Sequence, residues 1–315
     1  MKKCLVTGGA GFIGSNLVER LIGDGVQVQV LDNLSTGFLK NLEPFLGDID
    51  FTQGDVRDLD TLQEVMLGVE VVFHQAAVVS VPQSVEDPIE TAMVNDLGTL
   101  HVLEAAHRAG VRRVVFASSC AVYGDLPHLP KKETMETRPL SPYAASKLHG
   151  ETYASLYSDL YGLDVVCLRY FNVYGPKQDP TSPYSGVISI FLDRAVQGEL
   201  PTIFGDGEQF RDFVYVADVV QANLLAAYQD NITGAVINIG TGSSVTVNGL
   251  WQTISQFAGV EGEPERAEER PGDIRESIAD ISRARELLAY EPHYSFEKGL
   301  ELTWEWYRER IEHGA

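Results

Sequence analysis

The chain has 315 residues, with 45 Asp plus Glu against 24 Lys plus Arg and a formal charge of −21. That length holds one large domain or two modest ones with an ample core, and that charge argues against nucleic acid and anionic membranes as partners. Cys4, Cys120 and Cys167 each sit in an apolar run and read as buried thiols of a reducing compartment, with neither a disulfide nor a metal set among them.

The N-terminal MKKCLVTGG has two lysines, but Thr7, Gly8 and Gly9 break its apolar run, so it does not read as a signal peptide. No run reaches the length of a membrane span. A soluble cytoplasmic protein is expected. The first strand is predicted over Lys3–Thr7, and Gly8, Gly11 and Gly14 follow it at G-x-x-G-x-x-G spacing, opening an amphipathic helix over 12–21. Glycine suits this place because the turn is tight, the backbone must approach a pyrophosphate, and the helix N-terminus supplies partial positive charge. Gly8, Gly11, Phe12, Ile13 and Gly14 are therefore candidate dinucleotide contacts.

A second strand over 26–32 ends in Asp32, 18 residues past Gly14. A carboxylate there accepts from the adenosine ribose and repels a 2′-phosphate, which favours NAD over NADP. Asn33, beside it, is also assigned to the cofactor. The third strand, 49–55, closes on Asp55 and Val56, placed to reach the adenine; an ordinary loop carboxylate is the competing reading of Asp55. The fourth strand, 69–75, ends at Gln75 and Ala76, also assigned to the cofactor, with His74 packed at the strand end. The fifth strand, Arg113–Ser119, runs into FASSCAVYGD. Further strands are predicted over 165–172 and 235–239, and helices over 60–67, 89–108 and Pro142–Tyr161. The strands are nearly continuous in Val, Ile and Leu and alternate with helices. That pattern predicts a doubly wound α/β fold with a parallel sheet covered on both faces.

The helix at Pro142–Tyr161 opens with SPYAASK, which sets Tyr143 and Lys147 four apart on one helix face. An ammonium beside a phenol, with a positive nicotinamide, favours the phenolate, a general base near neutral pH. The spacing alone is weak evidence: Tyr294 and Lys298 in YSFEK repeat it, with no serine-bearing strand before them, and read as a solvated helix start. After Gly175 the pattern changes to loops rich in Pro and Gly. The expected division is a dinucleotide-binding domain over 1–172 with a return segment 212–241, and a smaller interleaved substrate domain over 173–211 and 242–315. The cleft between them is the default ligand site.

Taken together, the glycine triplet, SSCAVYG, YAASK, RYFNVYGP, GDGEQFRDFVYV and RPGD resemble the extended short-chain dehydrogenase/reductases, and most closely their nucleotide-sugar 4-epimerases. The resemblance covers nearly the whole chain. It implies a Rossmann domain with tightly bound NAD, Tyr143 as base, Lys147 tuning it and holding the nicotinamide ribose, and Ser119 orienting the sugar 4-hydroxyl. It assigns substrate contacts to Ser80, Ser118, Ser119, Tyr143, Asn172, Val187, Arg211, Arg270, Asp273 and Ser277, the arginines holding the diphosphate of a UDP-sugar. Side chains alternate along a strand, so Cys120 is expected behind Ser119 as an apolar filler. Related dehydratases carry an acid pair after the serine, and related decarboxylases a glutamate; here Cys120 and Ala121 stand there, which leaves oxidation and reduction at C4. A tyrosine at position 277 goes with plain hexoses in the family. Ser277, and Ser80 too, point to UDP-GlcNAc and UDP-GalNAc, with UDP-Glc and UDP-Gal also open. A nucleotide-sugar dehydrogenase or reductase, a UDP-uronic acid 4-epimerase and a non-catalytic NAD sensor remain as alternatives; no extra basic residue obviously awaits a C6 carboxylate. The resemblance also implies a homodimer through helices 89–108 and 142–161, whose apolar residues include Leu97, Leu100, Leu156 and Leu160.

Overall fold

Parallel strands build the central sheet of the computed structural model, which describes residues 1–179, 186–268 and 275–312. Six come in succession: β1 (Lys3–Thr7), β2 (Gln27–Asp32), β3 (Ile49–Gln53), β4 (Val71–His74), β5 (Arg113–Ser119) and β6 (Asp164–Tyr170). Short strands outside it come next: β7 (Asn172–Tyr174), β8 (Thr202–Phe204), β9 (Phe210–Arg211) and β10 (Phe213–Tyr215). The chain then returns as β11 (Val236–Ile239), and the sheet order is β11-β6-β5-β4-β1-β2-β3. All seven predicted strands are in it. The winding direction reverses between β1 and β4, and the crevice beyond their carboxyl ends is where such sheets bind ligands.

Alternate residues of each strand feed two apolar layers. Val6, Val30, Phe73 and Val115 enter one, and Leu5, Leu31, Val72 and Val114 the other. This two-sided burial is why the strands read as unbroken apolar runs. A third cluster, with Tyr174, Phe191, Trp251 and Leu300, is built almost wholly from the later chain.

The helices that frame the crevice are α1 (Phe12–Gly23), α2 (Leu59–Val65), α3 (Val81–Glu86), α4 (Pro88–Ala92), α5 (Gly98–Ala109) and α6 (Pro142–Tyr161), with α7 (Val187–Val196) and α8 (Val216–Tyr228) after them. Helix α6 occupies its predicted span. Ser141 accepts from Ala144 N at 3.1 Å, Pro142 fills the first turn, and Gly162 closes it at φ 69°. The expected helix over 89–108 is instead α4 and α5 joined by a π turn at Met93–Leu97. Among the described residues no helix is long and apolar enough to cross a membrane, and no group of three His, Cys, Asp or Glu could hold a metal ion.

Candidate active site

Strand β1 ends at Thr7 and the chain turns at once. Gly8 has φ 69°, and a Cβ there would stand 2.7 Å from Ala76 N. A Cβ at Gly14 would come within 2.1 Å of the Gly8 carbonyl oxygen. The ends of β1 and β4 and the start of α1 thus meet where no side chain fits. Helix α1 opens at Gly11 without a side-chain cap, which leaves the N–H groups of its first turn for an anion. The stretch from Gly8 to Gly14, including Phe12 and Ile13, fits the pyrophosphate of a dinucleotide.

Asp32 closes β2 beside this turn. Its Oδ2 accepts from Ala10 N at 2.9 Å and its Oδ1 from Leu34 N at 2.8 Å, while burial raises its pKa. Each oxygen keeps a lone pair for a ribose hydroxyl. Asp55 is arranged differently. It accepts from Arg57 N, Nε and Nη2 and from Asn33 Nδ2, all between 2.8 and 2.9 Å. The Arg57 guanidinium holds its pKa down to about 2. Four donors fill its lone pairs, so the expectation that Asp55 reaches an adenine gives way to the loop-carboxylate reading, and Asn33 is engaged with it. Val56 is buried, its side chain where a Cβ on Gly98 would fall. The Gln75 side chain donates to the Tyr170 hydroxyl at 3.1 Å and Asn223 Oδ1 at 3.2 Å. That contact ties it to α8, and it is Ala76 that lies against Gly8. His74 packs at the strand end as expected, its ring between the Thr7 and Thr99 hydroxyls at 2.8 and 3.0 Å, with burial pushing its pKa down to about 3.

The candidate catalytic residues gather where β5 meets α6. Lys147 is 4 % exposed, its Nζ donates to the Ala117 carbonyl at 2.8 Å, and it stands 5.9 Å from the Tyr143 ring centroid. The Ser119 side chain stands beside Tyr143 and accepts from Ala121 N at 3.2 Å. Ser118, assigned to substrate, faces α6 instead and donates to Glu151 Oε1 at 2.5 Å. Cys120 corrects the alternation argument. The strand stops at Ser119 and a 3-10 turn covers Cys120–Tyr123, so period-two alternation no longer applies. Cys120 lies on the reacting side, with Tyr143, Arg211, Asp212 and the Ser277 hydroxyl around it. Burial pushes its thiol up to about 11, which makes it a neutral wall and no nucleophile.

The phenol also departs from expectation. Burial pushes Tyr143 up to about 12, while contact with Ser119 pulls the other way, and burial brings Lys147 down to about 8. Desolvation outweighs the neighbouring ammonium, because Lys147 is itself buried and turned to the Ala117 carbonyl. Acidification of the phenol would then fall to the positive ring of a bound oxidised nicotinamide. The duplicate pair behaves as a surface pair: Lys298 donates to Glu301 at 2.7 Å and is exposed.

Across the crevice, Arg211 in β9 donates to the carbonyls of Phe210 and Arg275 at 2.9 and 3.2 Å. Ser277 is 7 % exposed and its N–H donates to the Phe210 carbonyl at 3.2 Å, which sets Arg211 and Ser277 on adjoining segments. Asn172 opens β7, and its N–H donates to the Asp212 carbonyl at 3.1 Å. Val187 is the first residue of α7 and packs on the third cluster. Ser80 caps α3, accepting from Gln83 N at 3.1 Å. Arg270 and Asp273 lie outside the described residues.

Sequence reasoning passed over several residues. Lys131 is 3 % exposed and its Nζ donates to the Leu126 carbonyl. Its backbone is pinned between Ile278 O at 2.8 Å and Asp280 N at 2.9 Å, next to Ser277, with Cys120 and Glu276 in electrostatic reach. In LPKKE it looks like a solvated loop residue. Asn95, in the π turn, holds the Val78 backbone and donates to Ser146 Oγ at 2.9 Å, tying the loop after β4 to α6. Glu151, one turn past Lys147 on the same face, was legible in principle as Y-x-x-x-K-x-x-x-E.

Residues 4–240 match the family model described as the NAD dependent epimerase/dehydratase family. A UDP-glucose 4-epimerase of Mycolicibacterium smegmatis is 43 % identical over 314 residues, which is 98 % of this chain and 100 % of that one. The solved UDP-N-acetylglucosamine 4-epimerase of Methanobrevibacter ruminantium, in complex with UDP-N-acetylmuramic acid, superposes with TM-score 0.94 at 41 % identity, covering 98 % of this chain and 99 % of that one. A UDP-glucuronic acid 4-epimerase mutant from Bacillus cereus, bound to a fluorinated UDP-glucuronic acid and NAD, gives 0.91 at 30 % identity over 98 % and 99 %.

Proposed function

We propose a substrate and mechanism for a chain that belongs to the NAD dependent epimerase/dehydratase family: it is an NAD-dependent UDP-sugar 4-epimerase, and it interconverts UDP-GlcNAc and UDP-GalNAc, with UDP-Glc and UDP-Gal as further substrates. The observation that carries the reading is the cluster of Ser119, Tyr143 and Lys147 at the β5–α6 junction, walled by Cys120 and Ser277, two small side chains that cannot exchange protons near neutral pH.

NAD, held by the Gly8–Gly14 turn and Asp32, would supply a reversible hydride acceptor for C4 of the hexose. The chain's residues do the rest. Tyr143 removes the 4-hydroxyl proton and later gives it back, and Ser119 holds the oxygen between them. Lys147 keeps its contact with Ala117 and presents charge to the nicotinamide ribose. Arg211 and Asn172 grip the diphosphate while the hexose turns over in a pocket with little to hold it. Firm binding of the remote part and loose binding of the reacting part is how binding energy serves the transition state. No acid pair follows Ser119, so water is not eliminated from the 4-keto sugar.

Ser277 supports the N-acetyl preference, since its small buried side chain stands against Cys120 and leaves room beside C2. A second reading, a UDP-uronic acid 4-epimerase, draws on Lys131, a buried ammonium that corrects the expectation of no basic residue for a C6 carboxylate. NMR of product mixtures from UDP-GlcNAc, UDP-Glc, UDP-GalNAc and UDP-glucuronic acid separates the two. The N-acetyl reading expects both N-acetyl sugars to reach equilibrium, and Ser277→Tyr to lose about a hundredfold in kcat/KM for them while keeping UDP-Glc. Turnover of UDP-glucuronic acid alone would overturn it.

A further inference from the structure

Three successive residues of β5 face α6. The Ala117 carbonyl accepts from Lys147 Nζ at 2.8 Å, Ser118 Oγ donates to Glu151 Oε1 at 2.5 Å, and the Ser119 side chain stands beside Tyr143. Residues 143, 147 and 151 are successive positions on one helix face. The strand end and the helix are therefore tied by two hydrogen bonds, and only the one to Glu151 lies away from the Ser119–Tyr143 contact.

That bond is firmly anchored. Arg169, in β6 directly beside Ser118, donates Nε to Glu151 Oε1 at 2.8 Å and Nη2 to Oε2 at 2.7 Å. Both side chains are about 95 % buried, at 5 % and 6 % exposure. The guanidinium lies 4.7 Å from the Tyr123 ring centroid, and the Tyr123 hydroxyl donates to Asn238 Oδ1 at 2.7 Å. Tyr123 ends the 3-10 turn that begins just after Ser119. The pair thus grips the chain on both sides of Ser119: Ser118 before it through Glu151, and Tyr123 after it through Arg169.

A buried ion pair is a poor device for stability, because two apolar side chains of the same volume do as well or better. Its merit is directional. A forked guanidinium–carboxylate contact tolerates little sliding, whereas apolar surfaces slide freely. We propose that Glu151, with Arg169, is a positioning residue that fixes the register of the Tyr143–Lys147 helix against the Ser119 strand. The inference rests on the epimerase reading above, since its measure is the proton transfer between Ser119, Tyr143 and a sugar hydroxyl.

The test removes both charges together with Glu151→Met and Arg169→Met, so that no lone charge is left buried. The protein is assayed as purified with NAD, measuring kcat, KM for the UDP-sugar, thermal midpoint and bound NAD. The expected result is a thermal midpoint held or raised, NAD content and KM within twofold, and kcat down at least about tenfold, as loss of register by a fraction of an ångström requires. A folded double variant with kcat within twofold of the parent overturns the proposal. Ser118→Ala keeps the ion pair and releases only the strand, so it decides the matter if the double variant does not fold. It is expected to lose about fivefold in kcat at constant KM, the equivalent of one hydrogen bond; an unchanged kcat overturns the proposal. If the parent itself turns over no UDP-sugar, the epimerase reading fails instead.

Discussion

Lys147 carries an ammonium where burial opposes it, and the protein retains it there. Its pKa is about 8 against 10.5 in the unfolded chain. Below pH 8 the lysine is charged in both states and folding bears the full desolvation penalty. Between about 8 and 10.5 the unfolded chain holds the extra proton, so stability rises with pH. Above that window the penalty is gone. The separation is worth roughly 3 kcal/mol at neutral pH, as an order of magnitude. Lys147→Met is therefore expected to abolish turnover yet melt above the parent at pH 7, with the gap closing by pH 10.5. Melting curves across that range check it, and a variant that melts lower at pH 7 and keeps its deficit at high pH refutes the account. The same residue shows a limit of the sequence. Y-x-x-x-K reveals which side chains meet, but not how much water they have lost, and that loss reverses the expected shift of Tyr143.

Elements were legible in proportion to how long their pattern ran. The inner strands of the sheet bury both faces and show as apolar runs, while the edge strand β3 is only partly buried; the predicted ends moved by up to two residues where the ladder stops before the apolar run does. Helix α6 carries its own punctuation in Ser141, Pro142 and Gly162. The π turn at Met93–Leu97 left no trace, because one wider turn shifts a 3.6-residue pattern too little to see. Cys120 was misplaced because a strand's alternation was carried past the strand's last residue. Lys131 was missed since a lysine beside Lys132 and Glu133 reads as solvated, and Glu151 because the Y-x-x-x-K spacing was not carried one helical turn further. The glycine turn was the most reliable inference, and it makes the sharpest prediction at this scale. A methyl group at residue 14 would stand 2.1 Å from a backbone oxygen, which cannot move as a side chain can. Gly14→Ala is expected to purify with less than about a tenth of the parent's NAD, and to melt several degrees lower, by about 2 kcal/mol or more. The ratio of absorbance at 260 and 280 nm, with a melting curve, measures both, and parental values for the two would refute it.

At the scale of the whole molecule, α3, α4 and α6 leave one apolar face uncovered. Val85, Ile89, Leu156 and Leu160 are 61 %, 75 %, 44 % and 68 % exposed, with Met93 and Tyr161 among them. A surface of this kind marks a partner. We propose a second copy of the chain, joined by the outer sides of the helices whose inner sides build the site. The protein is expected to sediment at twice its 34.6 kDa chain mass at micromolar concentration, and Ile89→Glu with Leu160→Glu to halve that mass. A parent that sediments as a single chain removes the proposal.

Among the described residues, three positive groups of the crevice are withdrawn from its rim. Lys147 and Lys131 are buried, and Arg211 is folded back onto two carbonyls, in a molecule of charge −21. An anionic sugar nucleotide drifting toward this protein meets repulsion first and attraction only on contact. Added electrolyte lowers that outer barrier while hardly reaching the interior. Arrival should quicken as ionic strength climbs from very dilute buffer, the reverse of the trend for a receptor that advertises its cations at the surface.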